Sequence, residues 1–170
     1  MTDDEAPETA TGGPIVREFA SSEMFERTFA EGMALVEETA AYLDGMGRKE
    51  SKLLSRNAAL VYAGESMRLT TRLMQIASWL LVQRAVREGD MKAVDAAQDR
   101  YRIRVSQASQ DAPESTEELP EGLLGLLDRS ERLHERVAHL DRRMYLDNEA
   151  VEAANPVQSQ HDRLRTAFGS

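Results

Sequence analysis

The chain has no cysteine. That excludes disulfides, thiolate catalysis and cysteine-based zinc or iron–sulfur sites. Aromatic residues are scarce, 5% against a hydrophobic fraction of 41%, so the core must be built from aliphatic side chains and methionine. No long hydrophobic run occurs. The longest nearly apolar stretch, Leu73 to Val82, has about half the length of a membrane-spanning helix and contains Gln75 and Ser78. The N-terminus lacks a basic region followed by an apolar core, so no signal peptide is expected and a soluble, cytoplasmic protein follows.

A basic surplus is also missing. The net charge is −9, and it is concentrated. Residues 1–20 carry Asp3, Asp4, Glu5, Glu8 and Glu18 against Arg17, and residues 111–121 carry Asp111, Glu114, Glu117, Glu118 and Glu121 with no base. These two segments account for the whole imbalance, so the rest of the chain is neutral. Nucleic acid is therefore not an expected partner, because such binding requires a basic patch that neutralises phosphates. Residues 1–20, with Gly12-Gly13 and no apolar period before Ile15, read as a disordered acidic N-terminus.

What is present is helical periodicity. Phe25, Phe29, Gly32, Val36, Thr39 and Leu43 recur at a spacing of four and three, which predicts an amphipathic helix over 22–43 with a serine cap and a glycine stop at Gly45. Gly45-Met-Gly-Arg-Lys49 reads as a short helix–helix turn. A second helix is predicted over 51–88, stopped by Gly89. It carries three stripes. Leu60, Gly64, Met67, Thr71, Met74, Ser78, Leu81 and Ala85 form one. Tyr62, Leu69, Leu73, Ile76 and Leu80 form the second. Val61, Glu65, Arg68, Arg72, Gln75, Trp79 and Val86 form the third, which is half polar.

A helix apolar on several sides is buried on several sides. Two other helices cannot cover it, so a homodimer is expected, with Leu73, Ile76, Leu80 and Leu81 at the interface. Residues 91–108 fit a weak helix, although Tyr101, Ile103 and Val105 alternate with Arg100, Arg102 and Arg104 as in a strand. A third helix is predicted over 120–145, where Leu123, Leu126, Ser130, Leu133, Val137, Leu140 and Met144 keep a heptad seam. Residues 147–170 read as a flexible tail with Leu164 and Phe168 as anchors. The expected architecture is all-α: a bundle over residues 21–146 around a long central helix, dimerising, with flexible termini.

Catalytic chemistry is weakly represented. Glu131-Arg-Leu-His134 is one Glu-x-x-His, and a di-iron bundle needs two such motifs plus two further glutamates. His134-Glu135 could belong to a phosphotransfer or sensor module, but the surroundings expected of a phospho-accepting histidine are not evident. No metal, no cofactor and no catalytic residue is expected. The sole tryptophan, Trp79, shares a face with Arg68 and Arg72. It is either core with snorkelling arginines or a binding hot spot, since Trp and Arg are enriched at such spots. Arg68, Arg72, Trp79, Leu164 and Phe168 are thus the candidate partner-binding residues.

Two stretches, FAEGMALVEETAAYLDG from Phe29 to Gly45 and ESMRLTTRLMQIASWLLVQRAV from Glu65 to Val86, resemble the alphaproteobacterial regulator of CtrA degradation (RcdA) family. Leu119-Pro-Glu-Gly-Leu123 and the leucine heptads after it are similar to that family's last helix. The resemblance implies a dimeric three-helix bundle with a flexible tail and no catalytic residues. It also implies a cell-cycle role as an adaptor for the ClpXP protease. Such an adaptor joins protease primed by the response regulator CpdR to cargo regulators and to the cyclic-di-GMP effector PopA, in the cytoplasm, with the cell pole as one location.

Overall fold

The computed structural model describes residues 22–104 and 117–153, with 146–153 described by backbone alone. The acidic segment over 1–20, the stretch 105–116 and the tail residues Leu164 and Phe168 lie outside the described residues. The fold is an all-α bundle of three long helices: α1 (Glu23–Asp44), α3 (Arg56–Glu88) and α5 (Glu121–Ala153). Two short helices sit in the connections, α2 (Met46–Ser51) and α4 (Ala93–Ala96).

Local chemistry sets the ends of these helices. The Ser22 hydroxyl accepts the Phe25 N–H at 3.2 Å, and Glu23 and Glu26 complement the dipole of the first turn of α1. The Ser55 hydroxyl caps α3 through the Ala58 N–H at 3.2 Å, so that helix begins at Arg56, five residues beyond its predicted start. Residues 46–51, read from the sequence as a turn, form the helical turn α2. Gly45 at their start has φ −107°, not the left-handed value expected of a glycine cap. It is Gly89, at φ +81°, that takes the left-handed cap, closing α3 with N–H bonds back to its last turn.

The helix directions follow from cross-contacts. Glu26 pairs with Arg87, and Arg84 lies over the Phe29 ring, so α1 and α3 are antiparallel. Arg129–Glu38 and Arg136–Glu31 make α1 and α5 antiparallel as well. Arg72–Ser130, Trp79–Asp141 and Gln83–Tyr145 then show that α3 and α5 run parallel. Parallel neighbours need a connection that returns along the bundle. Residues 89–104, which begin that return, form no long helix. They contain α4, a 3₁₀ turn at Asp99–Tyr101 and an extended Arg102, instead of the weak continuous helix predicted over 91–108.

The core runs between the three long helices, with Phe25 and Leu35 from α1, Leu69, Ile76, Trp79 and Leu80 from α3, and Leu123, Leu133 and Val137 from α5. Gly32 lets α1 approach closely: a Cβ there would lie 2.6 Å from Cδ1 of Leu80. Near the start of α5 the Tyr42 ring fills the space left by Gly47 and Gly122, and its hydroxyl donates to Glu50 at 2.7 Å. Burial and that acceptor together push the Tyr42 phenol well above its ordinary pKa. Helix α5 continues to Ala153, past the predicted boundary at 145, so residues 147–153 belong to it. Among the described residues no helix is long and apolar enough to cross a membrane.

Candidate functional site

Two features stand out on α3, on opposite sides. The first is an exposed ladder. Leu60, Met67, Met74 and Leu81, one per heptad, are between 53% and 73% exposed. Between them lie Gly64, Thr71 and Ser78, with Ala85 one turn beyond Leu81, all small, and Ala63, Thr70 and Ala77 beside them. A Cβ added at Gly64 would meet nothing within 4 Å. A face of regularly spaced large residues separated by small ones lets a second helix come close and seat its own large residues in the gaps. Exposed apolar side chains placed singly are ordinary, but these four stand in heptad register in one row along the helix.

The second feature is a buried polar chain where α3, α5 and the returning connection meet. Asp141, 3% exposed, accepts the Trp79 indole N–H at 2.9 Å. It also accepts the Arg102 guanidinium, with Nε 2.8 Å from Oδ1 and Nη2 2.9 Å from Oδ2. Arg102 stacks over the Tyr145 ring, 4.6 Å from its centroid. The Tyr145 hydroxyl lies 3.0 Å from Nε2 and 3.1 Å from Oε1 of Gln83, a residue with no exposed surface. Burial raises the Tyr145 pKa, with the Gln83 bond opposing that shift. About three turns before Asp141 on α5, the Ser130 hydroxyl accepts a hydrogen bond from Arg72 of α3 at 3.0 Å. His134 is buried nearby, and its Nε2 has no hydrogen-bond partner among the described residues. Burial, then the Arg72 charge, hold its pKa below the ordinary value, against the Arg104 backbone and the Glu135 and Glu131 carboxylates.

The structure separates the residues grouped from the sequence. Trp79 is 1% exposed and points at α5, so it offers no surface to a partner. Its stripe is polar because it faces a polar seam between α3 and α5, with Glu65 bonded to Arg68 at 3.1 Å and Arg72 bonded to Ser130. Leu73, Ile76 and Leu80 are buried inside their own chain, so they have no area left for a second copy; of the four expected interface residues Leu81 alone lies on the exposed ladder. The Glu-x-x-His residues point apart, Glu131 to solvent and His134 inward. Among the described residues no three His, Cys, Asp or Glu side chains come together as a metal site. Sequence reasoning missed Asp141, although it sits four residues from both Val137 and Tyr145 on an otherwise apolar track.

Among the described residues the geometry is that of a helical scaffold with a row of exposed apolar side chains along α3. The family described as "Protein of unknown function (DUF1465)" matches residues 16–168, and the chain belongs to that family. The crystal structure of RcdA from Caulobacter crescentus CB15 is 65% identical, with a TM-score of 0.64, covering 76% of this chain and 98% of that one. The chain is thus an RcdA homologue. A search of curated proteins finds no match.

Proposed function

We propose that the protein is a non-enzymatic adaptor that tethers cell-cycle regulators to ClpXP primed by CpdR, with PopA among its partners. The observation that carries this reading is the 65% identity to RcdA over nearly the whole of that chain. The fold suits the task, because tethering needs docking surfaces and not catalytic groups. Two weak contacts on one scaffold raise the local concentration of cargo at the protease to about millimolar.

Within this reading the protein acts as a homodimer whose seam is the Leu60–Met67–Met74–Leu81 ladder. An antiparallel two-fold would set Leu60 against Leu81 of the partner subunit, with the methionines meeting at the centre. Arg68 and Arg72, with Leu164 and Phe168 of the tail, are assigned to cargo and protease contacts. The test is degradation of a candidate cargo by purified ClpXP and CpdR with and without this protein. Acceleration that requires all three components supports the adaptor role, and an unchanged rate removes it.

A further inference from the structure

The site around Asp141 has an asymmetry. Every group that holds Arg102 is itself fixed by the bundle. Asp141 is oriented by the Trp79 indole, and the Tyr145 ring by the Gln83 amide; all four residues belong to α3 and α5. The returning connection contributes none of this frame. It contributes what fills it: the Arg102 guanidinium between carboxylate and ring, then Ile103, which is buried, then the Arg104 backbone beside His134. Arg102 is in extended backbone at φ −76°, ψ 146° and belongs to no helix or sheet.

A carboxylate with a parallel aromatic face is a receptor for guanidinium, because it satisfies both the charge and the flat ring-like cation. A buried ion pair adds little net stability over a well-packed apolar pair. A receptor held in shape by other residues need not collapse when its occupant leaves. The Trp79 bond would still satisfy one lone pair of Asp141, and water could reach the rest.

We propose that the α3–α5 groove lined by Trp79, Asp141, Tyr145 and Gln83 is a docking site for an extended partner segment carrying an arginine followed by an aliphatic residue, and that Arg102–Ile103 occupies it as an internal competitor in the free protein. The partner's arginine replaces Arg102 against Asp141 and Tyr145, and its aliphatic side chain takes the place of Ile103. The connection is then displaced and becomes solvent-accessible. The site does not depend on the adaptor role: it would bind such a segment whatever the protein delivers.

The test uses a fluorescein-labelled peptide reproducing residues 98–104 (QDRYRIR), titrated against the full-length protein by fluorescence anisotropy. An internal competitor weakens apparent affinity by the fraction of time it occupies the site. Arg102→Ala with Ile103→Ala should therefore bind the peptide at least about tenfold more tightly than the unaltered chain. Adding Asp141→Asn should abolish that gain, and so should replacing the fifth residue of the peptide by glutamine. Equal weak binding by the folded double variant and the unaltered chain would overturn the proposal, as would equal binding of a scrambled peptide. If the double variant does not fold, hydrogen exchange on the unaltered chain decides. Excess peptide should speed exchange of the amides of 101–104 while leaving α1 unchanged; no change at millimolar peptide would overturn the proposal.

Discussion

The indole N–H of Trp79 and the carboxylate of Asp141 meet at 2.9 Å across the parallel pair α3 and α5, more than sixty residues apart in sequence. This contact fixes the rotation of both helices. Slipping α5 by one residue would carry Asp141 off the Trp79 side, leave the indole donor unpaired and move Tyr145 away from Gln83. It also anchors the returning connection, since Arg102 binds the same carboxylate.

Asp141→Ala should therefore be strongly destabilising. Removing one partner of a buried pair leaves the other charge uncompensated, at about 3–5 kcal/mol. Trp79→Phe keeps most of the apolar burial but orphans one hydrogen bond to a charged acceptor, at about 1.5–3 kcal/mol. Urea unfolding followed by helical circular dichroism measures both, and it should rank Asp141→Ala as the more damaging.

Gly32→Ala tests the close approach of α1 to α3. Alanine is favoured over glycine in a helix interior by about 1 kcal/mol. The new methyl would meet Cδ1 of Leu80, a residue with no exposed surface on which to relax, and overpacking costs about 1–3 kcal/mol. The net result should be a lower melting temperature. Gly64→Ala, where nothing lies within 4 Å, should not lower helicity or the stability of the single chain.

Acid should weaken the fold through His134. Its folded pKa lies below the ordinary 6.5 because of burial and Arg72, so the unfolded chain binds the proton more readily. Stability from this group is fully present above about pH 6.5 and is lost as pH falls from there toward the folded pKa. His134→Gln should flatten the pH dependence of unfolding below about pH 6.5. An unchanged slope would show that His134 is as easily protonated in the folded chain as in the unfolded one.

Much of this fold could be read from the sequence, and the reasons are physical. The long helices each bury a stripe several turns long, so Phe25, Leu69 or Leu133 repeats a signal that periodicity detects. The connection carries no such repetition. Arg102 follows a 3₁₀ turn in extended backbone, so neither a helical nor a strand period identifies this stretch. The three stripes of α3 were visible, but which two are covered depends on where α1 and α5 pack. Reading Leu73, Ile76 and Leu80 as interface and leaving Leu60, Met67 and Met74 unassigned follows from that ambiguity. Asp141 was not singled out from the sequence. Its partners Trp79 and Arg102 become neighbours through the parallel packing of α3 and α5, which local sequence does not encode.

The proposed dimer has its seam on the exposed ladder, and this can be tested. Met67→Glu with Met74→Glu places charge at the centre of the seam without touching the buried stripes. Sedimentation should show the unaltered chain as a dimer at micromolar concentration and the double variant as a folded monomer of unchanged helicity. A dimer that survives both substitutions would place the interface elsewhere.

Tethering itself has a kinetic signature. A scaffold that joins two components assists until it is in excess, after which protease and cargo occupy separate copies. The decisive measurement is the rate of cargo degradation by ClpXP and CpdR as the concentration of this protein is raised. The expected result is a rate that rises, peaks and then falls, with no acceleration when CpdR is omitted. A rate that does not respond to the protein at any concentration would contradict the adaptor role.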